Sequence, residues 1–215
     1  MAPSRLLFFL LASFSLPIFA RFGFQRFYRN ATLKIAVIVR TSDCLHAGTD
    51  SDVSASPGFT DNYGNLVWWH EMRMIKGNKG ENLEKATAQE MINTVPQEQV
   101  NEIEQACTMH SRGDPFEYDK CFFPNLVIFK MYTWFGNIDG DWKPGTTTFE
   151  MLWKDLNGSA PQNLTSHITN YGCNHKWVQK NNAYAYLCRN SAYEQYIELP
   201  VEGAPVVGEK VNACA

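Results

Sequence analysis

Apolar residues in this chain fall into short runs separated by clusters of Gly, Pro, Asn and Asp, and the spacing inside each run predicts its element. From Thr60, the residues Tyr63, Leu66, Val67, His70 and Met74 recur at helical spacing until Gly77, which predicts a helix. Ala86 to Ile92 is a second, shorter helical stretch. Pro96 suits the first position of a third helix, with Val100, Ile103 and Cys107 along one face. The run from Asn125-Leu-Val-Ile-Phe129 to Phe135 is rich in β-branched and aromatic residues and reads as a strand. Thr147 with Glu150 forms a capping-box pattern. Phe149, Leu152, Trp153 and Leu156 then follow at the spacing of a helix with one buried stripe. Lys176-Trp-Val-Gln179 and Ala183-Tyr-Ala-Tyr-Leu187 flank Lys180-Asn-Asn182 and read as a β-hairpin. Residues 41–60 and 112–120 are polar and read as loops. Helices first and a hairpin last favour an α+β fold.

Composition adds a compartment. Arg5 is the only early charge, Leu6 to Ile18 is largely apolar, and Ala20 offers a cleavage boundary, so residues 1–20 read as a secretory signal peptide. The run is too short for a spanning helix, and no later stretch reaches the length a span needs. The expected location is therefore secreted and extracellular. Arg21, Arg26, Arg29, Lys34 and Arg40 follow with no acid among them, and residues 21–43 read as a basic leader ahead of the domain. The net charge of -3 over 215 residues gives no global pull toward nucleic acid.

The six cysteines, Cys44, Cys107, Cys121, Cys173, Cys188 and Cys214, are an even set without a CxxC. In an exported chain that implies three disulfides rather than redox or zinc-ribbon chemistry. Sequons at Asn30, Asn157 and Asn163 are candidate glycosylation sites. No Gly-x-Ser-x-Gly elbow, Walker loop or dinucleotide fingerprint occurs. His70-Glu71-Met72-Arg73-Met74 opens like a zincin helix, but Met74 stands where the second histidine would be.

Several segments, in order, resemble the CAP superfamily of cysteine-rich secretory proteins, antigen 5 and pathogenesis-related proteins. The nematode activation-associated secreted proteins (SCP/TAPS) are the nearest in look. Phe59-Thr-Asp-Asn-Tyr-Gly-Asn-Leu-Val-Trp-Trp-His-Glu-Met-Arg73 resembles the opening helix, and Gly80-Glu-Asn-Leu-Glu-Lys-Ala-Thr87 the linker after it. Val100 to Ser111 resembles the second helix, with Cys107 ahead of His110-Ser111. Phe123-Pro-Asn-Leu-Val-Ile-Phe129 is similar to a Gly-Glu-Asn-Leu-Tyr strand, and Trp153-Lys-Asp-Leu156 to a Trp-x-Glu-Leu helix. His167 to Cys173 and Tyr186-Leu-Cys188-Arg189 are similar to the later Gly-Cys and Val-Cys segments. The resemblance implies one disulfide-stabilised SCP-like domain over 44–215, a three-layer α-β-α sandwich.

The family's cation site, two His and two Glu, falls on His110, His167, Asp155 and Pro124. Proline supplies no ligand, and the aspartate reaches less far than glutamate. The expectation is no cofactor, with zinc on His110, His167 and Asp155 as the alternative. For the disulfides, the resemblance implies Cys173–Cys188; Cys107–Cys121 and Cys44–Cys214 follow as the remaining pairs. A degraded site implies a non-enzymatic interaction protein with an extracellular protein receptor, of immunomodulatory or effector type. A lipid or sterol carrier and a metal-dependent hydrolase are the alternatives.

Overall fold

The computed structural model describes residues 31–76, 83–132, 141–155, 161–170, 172–173, 177–179, 184–189, 197–201 and 203–215, with the backbone alone at 155, 197–201 and 213. The strands are β1 (Ala31–Thr41), β2 (Asp52–Thr60), β3 (Leu66–Trp69), β4 (Ala88–Val95), β5 (Leu126–Tyr132), β6 (Pro144–Asp155), β7 (Gln162–Thr169), β8 (Tyr184–Cys188) and β9 (Ile197–Val201). Two helices, α1 (Gln97–Ser111) and α2 (Pro115–Cys121), fall between β4 and β5. One sheet has the order β4-β1-β6-β7 and the other β3-β2-β5-β8-β9, and every pairing is antiparallel.

This mostly-β architecture corrects the expected fold. The chain is not an α+β three-layer α-β-α sandwich of the CAP type. The segment expected to be the opening helix holds β3, residues 88–92 of the second helical stretch lie in β4, and Phe149, Leu152 and Trp153 of the later stripe lie in β6, Leu156 being outside the described residues. Residues 52–60, read as loop, are the strand β2, and 115–120, also read as loop, lie in α2. Among the described residues, 177–179 and 184–187 do not pair with each other as the expected hairpin would. Val178 bridges to Trp142, β8 pairs with β5 and β9, and the turn residues 180–182 lie outside the described residues.

The boundary of a basic leader at residue 43 moves as well, because β1 is a central strand. Ala31, Leu33, Ile35, Val37 and Val39 are fully buried, while Lys34 and Arg40 alternate onto the outer face. The charges are the wet side of a period-two strand. In β6, Thr147, Phe149, Met151 and Trp153 point inward and Leu152 sits on the opposite face, 41% exposed. β5 is apolar on both faces. Val127 and Phe129 join the core between the sheets, while Leu126 and Ile128 join a second cluster with Tyr184, Tyr186 and Val211.

Disulfides join Cys44 to Cys173, Cys107 to Cys121 and Cys188 to Cys214. Cys173 and Cys188 are thus not partners, nor are Cys44 and Cys214. The observed links pin the end of β1 to the segment after β7, α1 to α2, and β8 to the C-terminal turn Asn212–Cys214.

Candidate functional site

The site begins at a proline. Pro57 sits inside β2, and its carbonyl accepts from the His70 N–H at 3.0 Å. In an antiparallel ladder the N–H of the same residue would face the same neighbour. Proline has none, so the ladder loses a bond there and β3 ends at Trp69. The chain peels away and rejoins the sheet only at Ile75, which bridges to Val53. Met72 N–H is held on the way by Ser56 Oγ at 3.0 Å.

α1 packs beside this opening. A groove of about 520 Å³ lies between them, walled by Val67, Trp68, Trp69, Ile103, Ala106 and Met109. Val207 closes one end, where Gly208 N–H bonds Leu66 C=O at 2.7 Å. The lip is polar, carrying His70, Glu71, Gln99, Glu102 and Gln105. No Lys or Arg, and no Ser, Thr or Cys, is among the lining residues. Trp68 is fixed by its indole N–H, which donates to Cys121 C=O at 2.8 Å, and Trp69 stands edge-on to Tyr184. Gly58 and Trp69 are opposite each other one step past the Pro57–His70 bond. By alternation the Trp69 N–H and C=O therefore point away from β2, along the outer edge of β3.

His70 is 5% exposed. Asn93 Nδ2 lies 2.9 Å from His70 Nε2, so Nε2 accepts and the ring proton belongs on Nδ1. Burial lowers the imidazole pKa from 6.5, outweighing the opposing hydrogen bond to Gln99 and the Glu71 charge. The ring is a neutral, amide-clamped strut rather than an accessible base. Glu71 and Glu102 leave the groove net acidic.

The residues singled out from the sequence lie elsewhere. His110 ends α1, with Nε2 3.7 Å from Glu117 Oε2 and its ring against Phe59. His167 is exposed on β7, with Nδ1 2.9 Å from Thr148 Oγ1. Its neighbour Ser166 points inward and donates to the buried Pro124 C=O at 2.6 Å, so His167 is turned away from Pro124. Asp155 ends β6 opposite Ala31, and its side chain is outside the described residues. His110 and His167 therefore have separate partners, Glu117 and Thr148. Among the described residues, the single cluster of three potential ligands is Asp43, Cys44 and Cys173, and those two sulfurs are bonded to each other. Asn163 is exposed on β7, whereas Asn30 and Asn157 lie outside the described residues. The groove's signals in the sequence are the Trp68-Trp69 pair and Met109, which stands on the polar side of α1 and is 66% exposed.

No protein-family model matches the chain, and no curated protein matches it. Among solved structures, an alpha toxin from Clostridium absonum is similar over 78% of this chain at 12% identity, with a TM-score of 0.36. The match covers 32% of the toxin, so this chain spans about a third of its length. A likeness at that level assigns no activity.

Proposed function

We propose that the chain is an exported, non-enzymatic interaction protein, whose β3–α1 groove receives an extended segment of an extracellular partner protein. The groove itself carries the reading: an apolar wall with an acidic lip, no nucleophile, and a neutral histidine already engaged by amides. Such a lining favours a segment that alternates apolar and basic side chains. The outward N–H and C=O of Trp69 suit an added strand. Three disulfides fit an extracellular protein. No helix among the described residues is long and apolar enough to cross a membrane.

Selection of a random peptide display library on the purified protein tests this. Apolar–basic peptides should be enriched. Ala106→Trp, which fills the groove from α1, should weaken them by about tenfold, or ~1.4 kcal/mol. Binding should also fall as salt rises, and Glu71→Gln with Glu102→Gln should flatten that dependence. Binding indifferent to Ala106→Trp would sink the proposal. Displacement of a fluorescent fatty acid or sterol by the wild type but not by Ala106→Trp would instead make the groove a lipid site.

A further inference from the structure

We infer that Asn163 carries an N-linked oligosaccharide that caps the open edge of the four-stranded sheet; this rests on the export reading above. β7 is the last strand of that sheet, paired with β6 on one side. Asn170 N–H bonds Gly145 C=O at 2.9 Å, and the register carries this alternation back along β7. The even positions, including Leu164 and Ser166, therefore bond toward β6. The backbone groups of Asn163, Thr165 and His167 face outward from the sheet edge. Among the described residues no strand pairs with that side of β7, and a row of N–H and C=O groups left in this way invites another strand.

The sequon Asn163-Leu164-Thr165 sits in that row. Asn163 and Thr165 are both exposed, two residues apart on the outer face, while Leu164 turns partly inward. Asn163 also stands opposite Leu152, an apolar side chain 41% exposed. The two form a non-hydrogen-bonded pair, in which side chains come closest. The first sugar on Asn163 would therefore lie against Leu152, and the rest would stand over the edge. β7 offers little else to repel a second strand: between Gln162 and Thr169 its side chains include no Lys, Arg, Asp or Glu. Asn163 Nδ2 loses a proton and bonds the anomeric carbon of a lipid-linked oligosaccharide, whose bond to the lipid diphosphate breaks as that group leaves.

The full chain should be produced in a secreting eukaryotic cell, once with its own N-terminus and once behind an added secretion signal. After enzymatic release of N-glycans, the peptide containing residue 163 should show the Asn-to-Asp mass increment. Asn163→Gln should remove one step of gel mobility, and Thr165→Ser should keep it. Enzymatically deglycosylated protein should self-associate by light scattering at concentrations where the glycosylated form is monomeric. Asn163→Gln should do the same, and adding Thr165→Lys to it should restore the monomer by charging the edge. Recovery from the medium only with the added signal would overturn the export reading. An unmodified Asn163 in protein recovered from the medium would overturn the glycan site. A deglycosylated protein that stays monomeric would overturn the cap.

Discussion

Clamped between Asn93 and Gln99, the imidazole of His70 gives acid stability a specific handle. Its folded pKa lies below the ordinary 6.5 because burial disfavours the cation. Above pH 6.5 both folded and unfolded rings are neutral, and the group contributes nothing to pH dependence. As pH falls below 6.5, the unfolded ring takes up its proton while the folded ring does not. Folding stability must then decline until the folded pKa is reached. His70→Gln removes this titration while keeping a polar side chain. Urea denaturation at pH 7.5 and pH 5 should show a larger loss for the wild type than for His70→Gln; equal losses would mean the folded ring is freely protonated. His70 was visible in the sequence as the start of an incomplete zincin pattern. Its actual role was not, because Asn93 reaches it from β4, a strand distant in sequence.

Whole elements were misread for a specific reason: a separation of four residues is even. Leu66, His70 and Met74 satisfy a helical spacing, but Leu66, Trp68, His70 and Met72 are the alternating buried positions of an extended chain. Phe149 and Trp153 share a face either way, and Leu152 decides the case by pointing out. β2 was read as loop because it is small and polar: Ser51, Ser54, Ser56, Pro57 and Gly58 lie in or beside a strand buried along its whole length. Small side chains are what a strand covered closely on both faces accepts. α1 and β5 were legible, the first from Pro96 and its apolar stripe, the second from its continuous apolar run.

The turn between β2 and β3 is held similarly from a distance. Gly64 has φ +84, and a Cβ there would stand 2.9 Å from the Val211 carbonyl oxygen and from the Ala215 nitrogen. Gly64→Ala should cost about 1–3 kcal/mol through backbone strain alone, with displacement of the C-terminal segment besides. Its measure is the urea midpoint, together with faster proteolysis near residue 210. An unchanged midpoint would mean that the C-terminal segment contributes little to holding β3.

At the scale of the molecule, two sheets and three disulfides divide the labour. Apolar faces hold the sheets together over a core running from Ala31 to Leu187, and Cys107 and Cys121 are themselves buried in it. Cys107–Cys121 spans 14 residues and fixes α2 onto α1, whereas Cys44–Cys173 spans 129 and ties the end of β1 to the chain beyond β7. Loop-closure entropy grows with the logarithm of the span, giving about 3 kcal/mol for the short link and about 4–5 kcal/mol for the long one. If restriction of the unfolded chain dominates, replacing both long-link cysteines with serine should cost more than replacing both short-link cysteines. The short link, however, lies under Trp68, whose indole is bonded to the Cys121 carbonyl at 2.8 Å. Its loss would loosen the groove wall as well. Comparing the two double-serine variants by denaturant unfolding separates these effects. A greater cost for the long link supports the entropic account, while a greater cost for the short one shows that packing around Trp68 and α2 outweighs loop closure.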